Sequence, residues 1–147
     1  VRSRFASIMG RTYQRLGDYL TARSLLEEAR ELGKLSPAEH VVVELELADN
    51  HFLSGRFEQA EAAYREQLGH DLDATIRARA LAGLARTLAQ AGDAAEAMEL
   101  LDESIRLTRA DPAVEPRRLA QRLNDAGSAR FRLGEYKQPS NCWMKPC

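Results

Sequence analysis

The sequence predicts an all-α fold, a solenoid of antiparallel helix pairs, and three observations carry that prediction. A motif recurs along the chain, as RLGDYLTARSLLEEA (15–29), LSGRFEQAEAAYREQL (53–68), QAGDAAEAMELLDESI (90–105) and RLGEY (132–136). Its copies align on Gly17, Gly55, Gly92 and Gly134, at spacings of 38, 37 and 42 residues. Each glycine stands between two stretches whose apolar residues recur at i, i+3 and i+4, so the repeated unit is helix, tight turn, helix. A unit of this kind buries its apolar face only against its neighbours, and three copies are about the minimum for independent stability.

The units are expected at residues 3–35, 37–70, 73–110 and, incomplete, 115–136. In the second, SPAEHVVVELELADNHFL begins with Ser36 as helix cap, Pro37 at the first helical position and Glu39 three residues after the cap. That is a capping box, and it starts a helix expected to run over 37–54. In the third, Asp93 can cap a second helix in which Ala97, Leu100, Leu101, Ser104 and Ile105 share one face. Reversing the chain between two helices within a few residues needs a left-handed backbone conformation, hence the glycines. Ala22, Ala60 and Ala97 each lie five residues past such a glycine and let two helices approach closely.

These residues resemble the tetratricopeptide repeat. Gly10, Tyr13, Gly17, Tyr19, Ala22, Leu26, Ala29 and Leu32 fill the family's places in the first unit. Leu47, Ala48, Gly55, Phe57, Ala60 and Tyr64 do so in the second, where Gln67 replaces an alanine. Leu84, Ala85, Gly92, Ala97, Leu101 and Leu107 do so in the third, where Ala94 replaces the turn aromatic. Gly127, Gly134 and Tyr136 begin a fourth. The long spacings are similar to those of the subgroup found in kinesin light chains and many bacterial signalling proteins. The resemblance implies a right-handed solenoid of about three and a half repeats over residues 1–136. It also implies a non-catalytic module that binds a peptide or protein segment in a concave groove lined by the first helix of each pair. As the alternative, it implies a regulatory or sensing segment of a larger bacterial protein such as a serine/threonine kinase.

Composition narrows the partners. Twenty-one basic and twenty-two acidic residues leave a net charge of −1, so no global field favours nucleic acid or an anionic membrane. Arg117, Arg118 and Arg122 are expected to form the solvated start of a helix. No apolar run is long enough to span a membrane, which with the absence of a leader pattern gives a cytoplasmic expectation, or a periplasmic one beyond a membrane-anchored kinase. The start at Val1 suggests a processed chain or a piece of a larger reading frame.

The last residues break the pattern. After Tyr136, where a helix like ARSLLEEA should follow, stands KQPSNCWMKPC, with two prolines that would each cost a helix about 3 kcal/mol. Tryptophan and methionine have one codon each, so the nucleotides around Trp143 and Met144 are fixed. With suitable codons for the other residues, the alternative frame encodes Ala-Glu-Gln-Leu-Leu-Asp-Glu-Ala-Leu, a second helix of the repeat. Residues 137–147 are therefore expected to be a non-native or disordered tail, left by loss of one nucleotide near codon 138. The gene's nucleotide sequence tests this. A first helix made to receive the missing one should leave an apolar stripe open to self-association.

No catalytic or metal site and no cofactor is expected. Cys142 and Cys147 form a single loose pair where structural zinc needs four ligands. His40, His51 and His70 are scattered, and His51 takes the place of Tyr13 as a packed ring. No nucleophile elbow or phosphate loop occurs. Helical spacing instead assigns the groove of the resembled family to Arg4, Arg11 and Arg15 in the first unit and to Leu45, Asp49 and Phe52 in the second. The third unit would contribute Arg79 and Arg86, and the fourth Asn124 and Ser128. Arginine forks hold carboxylates with paired hydrogen bonds, while Leu45 and Phe52 would anchor an apolar side chain. The expected partner is a protein or peptide, acidic around a hydrophobic residue. The lysine and asparagine clamp of the chaperone-binding relatives has no counterpart at Ser7, Arg11, Asp49, Arg79 and Gly83.

Overall fold

A computed structural model of the chain describes residues 1–132, and the tail 137–147, Gly134 and Tyr136 lie outside the described residues. Among the described residues there are seven α-helices and no strand. They are α1 (Arg2–Arg15), α2 (Tyr19–Glu31), α3 (Pro37–Leu53), α4 (Phe57–Leu68), α5 (Ala74–Ala91), α6 (Ala94–Ala110) and α7 (Pro116–Arg132). They fall into two compact units, Val1–Asp71 and Leu72 onward.

Local chemistry sets where the helices start and stop. Glu39 N donates to Ser36 Oγ at 3.2 Å and Ser36 N donates to Glu39 Oε2 at 2.9 Å, completing the capping box. Asp93 caps α6 through Glu96 N at 3.3 Å. Asp18 and Asp73 cap α2 and α5 in the same way, through Thr21 N and Ile76 N. At the three turns joining the helix pairs, Gly17, Gly55 and Gly92 have φ of 84°, 74° and 97°. Their left-handed backbone turns the chain back on itself.

In the first unit α1 packs on α2, α2 on α3 and α3 on α4. Ala6, Leu26, Ala29, Val43 and Leu47 form a core there, with Leu35 against it. Ala22, Ala60 and Ala97 are fully buried, as close helix packing requires. The approach is tightest at Gly10, where a Cβ would lie 2.8 Å from Leu26 Cγ and 3.2 Å from the Ala22 carbonyl oxygen. In the second unit α6 packs on both α5 and α7. Buried Ser104 donates its hydroxyl to the Ala78 carbonyl at 2.6 Å, pinning α6 to α5.

Two expectations are corrected. Leu45 is fully buried and is part of the packing, not a groove anchor. The reason is that α3 is enclosed around most of its girth, with Val43, Leu45, Glu46, Leu47, Ala48 and Asn50 all buried, so one stripe does not describe its interior. Arg122 is half-buried on α7 and is not part of a solvated helix start, whereas Arg117 and Arg118 are exposed. On α7, Leu123 and Phe131 are exposed.

Candidate functional site: the groove between α1 and α3

Ile8, Arg11 and Arg15 recur at i, i+3 and i+7 and therefore share one side of α1. Glu46 and Leu53, seven residues apart, do the same on α3. Together with Thr12 and Gln14 they line a hollow of about 510 Å³ within the first unit. Its apolar floor is incomplete, because Ile8 is 53% and Leu53 43% exposed. Arg11 and Arg15 are exposed beside them and, among the described residues, make no ion pair or side-chain hydrogen bond. Glu46 is buried and engaged in further contacts. Gln14 Oε1 is sealed from solvent and meets no donor. Thr12, another lining residue, donates its hydroxyl to the Ile8 carbonyl at 3.0 Å.

The other expected groove residues of this unit have structural partners. Arg4 Nε reaches Glu39 Oε1 at 2.7 Å, tying the start of α1 to the start of α3. That contact and the Ser36 cap hold the Glu39 carboxyl below its ordinary range, the cap contributing most. Asp49 accepts a hydrogen bond from the Tyr64 hydroxyl. Phe52 is half-buried with its ring tilted 59° against Phe57 at 5.6 Å. His51 is half-buried as expected, with Nδ1 sealed and unpartnered. Burial, and then the charges of Arg56 and Arg23, push its pKa down.

In the second unit Asn124 and Ser128 are exposed on α7, while Arg79 and Arg86 are half-buried on α5 and engaged in further contacts. Beside them lie Arg122 and Asp125, both half-buried. Burial pushes the Arg122 guanidinium below its ordinary range and the Asp125 carboxyl above its own, against the pull of Arg86 and Arg122. Their register was legible, since Arg118, Arg122 and Asp125 follow at i, i+4 and i+7. Their burial was not.

Among the described residues, three helix pairs joined by left-handed glycines, a seventh helix, and a hollow between α1 and α3 define an all-α helix-repeat scaffold. The tetratricopeptide repeat family model matches residues 3–28, 41–66 and 78–103, more than half of the chain, and the chain belongs to that family. Repeats of this family generally mediate protein–protein interaction, on a fold that is generally a non-catalytic scaffold. Among solved structures the chain is similar to the nearly identical TPR-like repeats of a candidate kinesin light chain from Podosopora anserina. The identity is 22% over 93% of this chain and 69% of that one, with a TM-score of 0.75. A single-substitution variant of the same protein matches with a TM-score of 0.74 at 22% identity and the same coverage. These likenesses describe the fold. No curated protein sequence matches the chain. Among the described residues no helix is long and apolar enough to cross a membrane.

Proposed function

We propose that the α1–α3 groove binds an extended peptide segment that is acidic around one apolar side chain. The observation that carries this reading is the pairing, in one hollow, of two exposed arginines that have no carboxylate partner among the described residues with two incompletely covered aliphatic residues. Guanidinium forks take carboxylates in paired hydrogen bonds, and Ile8 and Leu53 gain by losing their exposed area to an apolar anchor. Asp49, which accepts from Tyr64, and Arg4, which meets Glu39, serve to shape the groove. On the second unit Arg79, Arg86, Asn124 and Ser128 are candidates for further contact with the partner.

The test is fluorescence anisotropy with a labelled decapeptide carrying acidic residues on both sides of a single leucine. Exposed ion pairs contribute up to about 1 kcal/mol each, and charge reversal adds a repulsion of similar size. The double variant Arg11→Glu, Arg15→Glu should therefore weaken binding by at least tenfold, and Ile8→Asp should also weaken it. Binding unchanged in the double variant removes the proposal.

A further inference from the structure

Phe5, Met9, Thr12 and Leu16 recur at i, i+4, i+7 and i+11 and lie on one face of α1 and its C-terminal cap. The face is apolar but for Thr12, whose hydroxyl is spent on the Ile8 carbonyl. It is also open, with Phe5 63% and Leu16 75% exposed. The helix α2 packs on a neighbouring stripe of α1, through Ala6 and Gly10, and leaves this one uncovered.

The chain's own repeats show what such a face receives. Phe5, Met9 and Thr12 stand where the second repeat has Val43, Leu47 and Asn50 and the third has Ala80, Leu84 and Thr87. All of these counterparts are buried. On α3 the cover is a helix: Val43 and Leu47 share a core with Leu26 and Ala29 of α2, and Asn50 donates to the Tyr19 carbonyl at the start of α2. Side chains at this spacing form a ridge that seats in the groove of a second helix.

Charge sets which kind of helix fits. Beside the open face runs the stripe Arg4, Ile8, Arg11 and Arg15, and α1 carries no carboxylate. Arg4 is paired with Glu39, whereas Arg11 and Arg15 make no ion pair among the described residues. A second copy of α1 brings no carboxylate to that edge and, packed antiparallel, sets arginines beside arginines, which an interface penalises. A helix with carboxylates along its edge meets complementary charge instead. The α2–α3 contact is complementary in the same sense, with Arg30 of α2 3.8 Å from Glu44 of α3.

We propose that this face of α1 docks an acidic amphipathic helix of a partner protein, with aliphatic side chains seated on Phe5, Met9 and Leu16 and carboxylates along the arginine edge. Phe5, Met9 and Leu16 do not line the α1–α3 hollow. The docking face therefore stands whether or not that hollow binds peptide.

The experiment is fluorescence anisotropy with two labelled helical peptides that share one apolar face. Both have the sequence of residues 18–33, the helix that fills the equivalent face of α3, stapled between positions 20 and 24, which are exposed on α2. The acidic probe carries Arg30→Glu, and its basic twin carries Glu27→Lys, Glu28→Lys and Glu31→Lys. The acidic probe should bind at least about tenfold more tightly than the twin. In the protein, Phe5→Asp should weaken the acidic probe at least about tenfold by placing a charge beneath the helix. The same variant should leave the groove's titration with the acidic decapeptide unmoved. If circular dichroism shows Phe5→Asp misfolded, Leu16→Asp replaces it with the same expected loss. Absent binding, equal binding of the two helices, or acidic-helix binding unaltered in the folded variant overturns the proposal. So does a dimer of the chain, seen by sedimentation, that the folded variant dissolves, because the face then belongs to a second copy.

Discussion

Gly10 and Gly127 hold the same place in the first and fourth repeats, a place filled by Ala48 and Ala85 in the second and third. Adding a methyl group to each should have opposite effects. In a helix interior alanine is favoured over glycine by about 1 kcal/mol, and Ala48 and Ala85, both fully buried, occupy that place in helices of the same fold. At Gly127 nothing among the described residues lies within 4 Å of the new Cβ, so the propensity gain should appear nearly whole. At Gly10 the Cβ would meet Leu26 Cγ at 2.8 Å, Leu26 Cδ2 at 3.0 Å and the Ala22 carbonyl oxygen at 3.2 Å. Leu26 is fully buried and cannot swing aside, and the carbonyl belongs to the backbone of α2. Overpacking of this kind costs about 1–3 kcal/mol. Because the propensity term is common to both variants, Gly127→Ala should exceed Gly10→Ala in stability by about 1–3 kcal/mol. Urea unfolding followed by far-ultraviolet circular dichroism measures the difference. A Gly10→Ala midpoint equal to or above that of Gly127→Ala would refute the close approach of α1 and α2.

Two further predictions follow from buried polar groups in the first unit. Asn50, fully buried, donates from Nδ2 to the Tyr19 carbonyl at 3.0 Å and accepts from Arg56 Nη2 at 3.3 Å. Asn50→Ala removes this buried link between α3 and the start of α2 and should cost about 1–3 kcal/mol in a denaturant titration, against little for Thr12→Ala on the exposed side of α1. His51 has a folded pKa below its ordinary value of 6.5, so folding favours the neutral ring. Its contribution is fully present above that value and is lost as pH falls through the depressed one. His51→Gln should therefore flatten the loss of stability that sets in as pH falls below about 6.5, and an unaltered acid limb would show that the ring is not desolvated.

What could be read from the sequence was what is local in sequence. The capping box of Ser36 and Glu39 spans three residues, and Gly17, Gly55 and Gly92 act through their own backbone angles, so pattern alone revealed them. The Asp18 and Asp73 caps were equally local, with Asp18 following Gly17 as Asp93 follows Gly92. The site depended on distances that no pattern contains. Arg4 finds its carboxylate at Glu39, thirty-five residues on. Leu45 differs from Leu53 in exposure because α3 is enclosed along its middle and open at its end. Helical spacing alone puts Arg11 and Arg15 on one stripe with Arg4. Only packing separates the two exposed arginines from the paired one.

Amide chemical-shift mapping during titration with the acidic, leucine-centred peptide is the direct test of the α1–α3 groove. If peptide seats there, the largest shifts fall on Ile8, Arg11, Gln14, Arg15 and Leu53, which line the hollow between α1 and α3. Saturable shifts confined to the outer residues of α2 and α4, with those five unmoved, would contradict it.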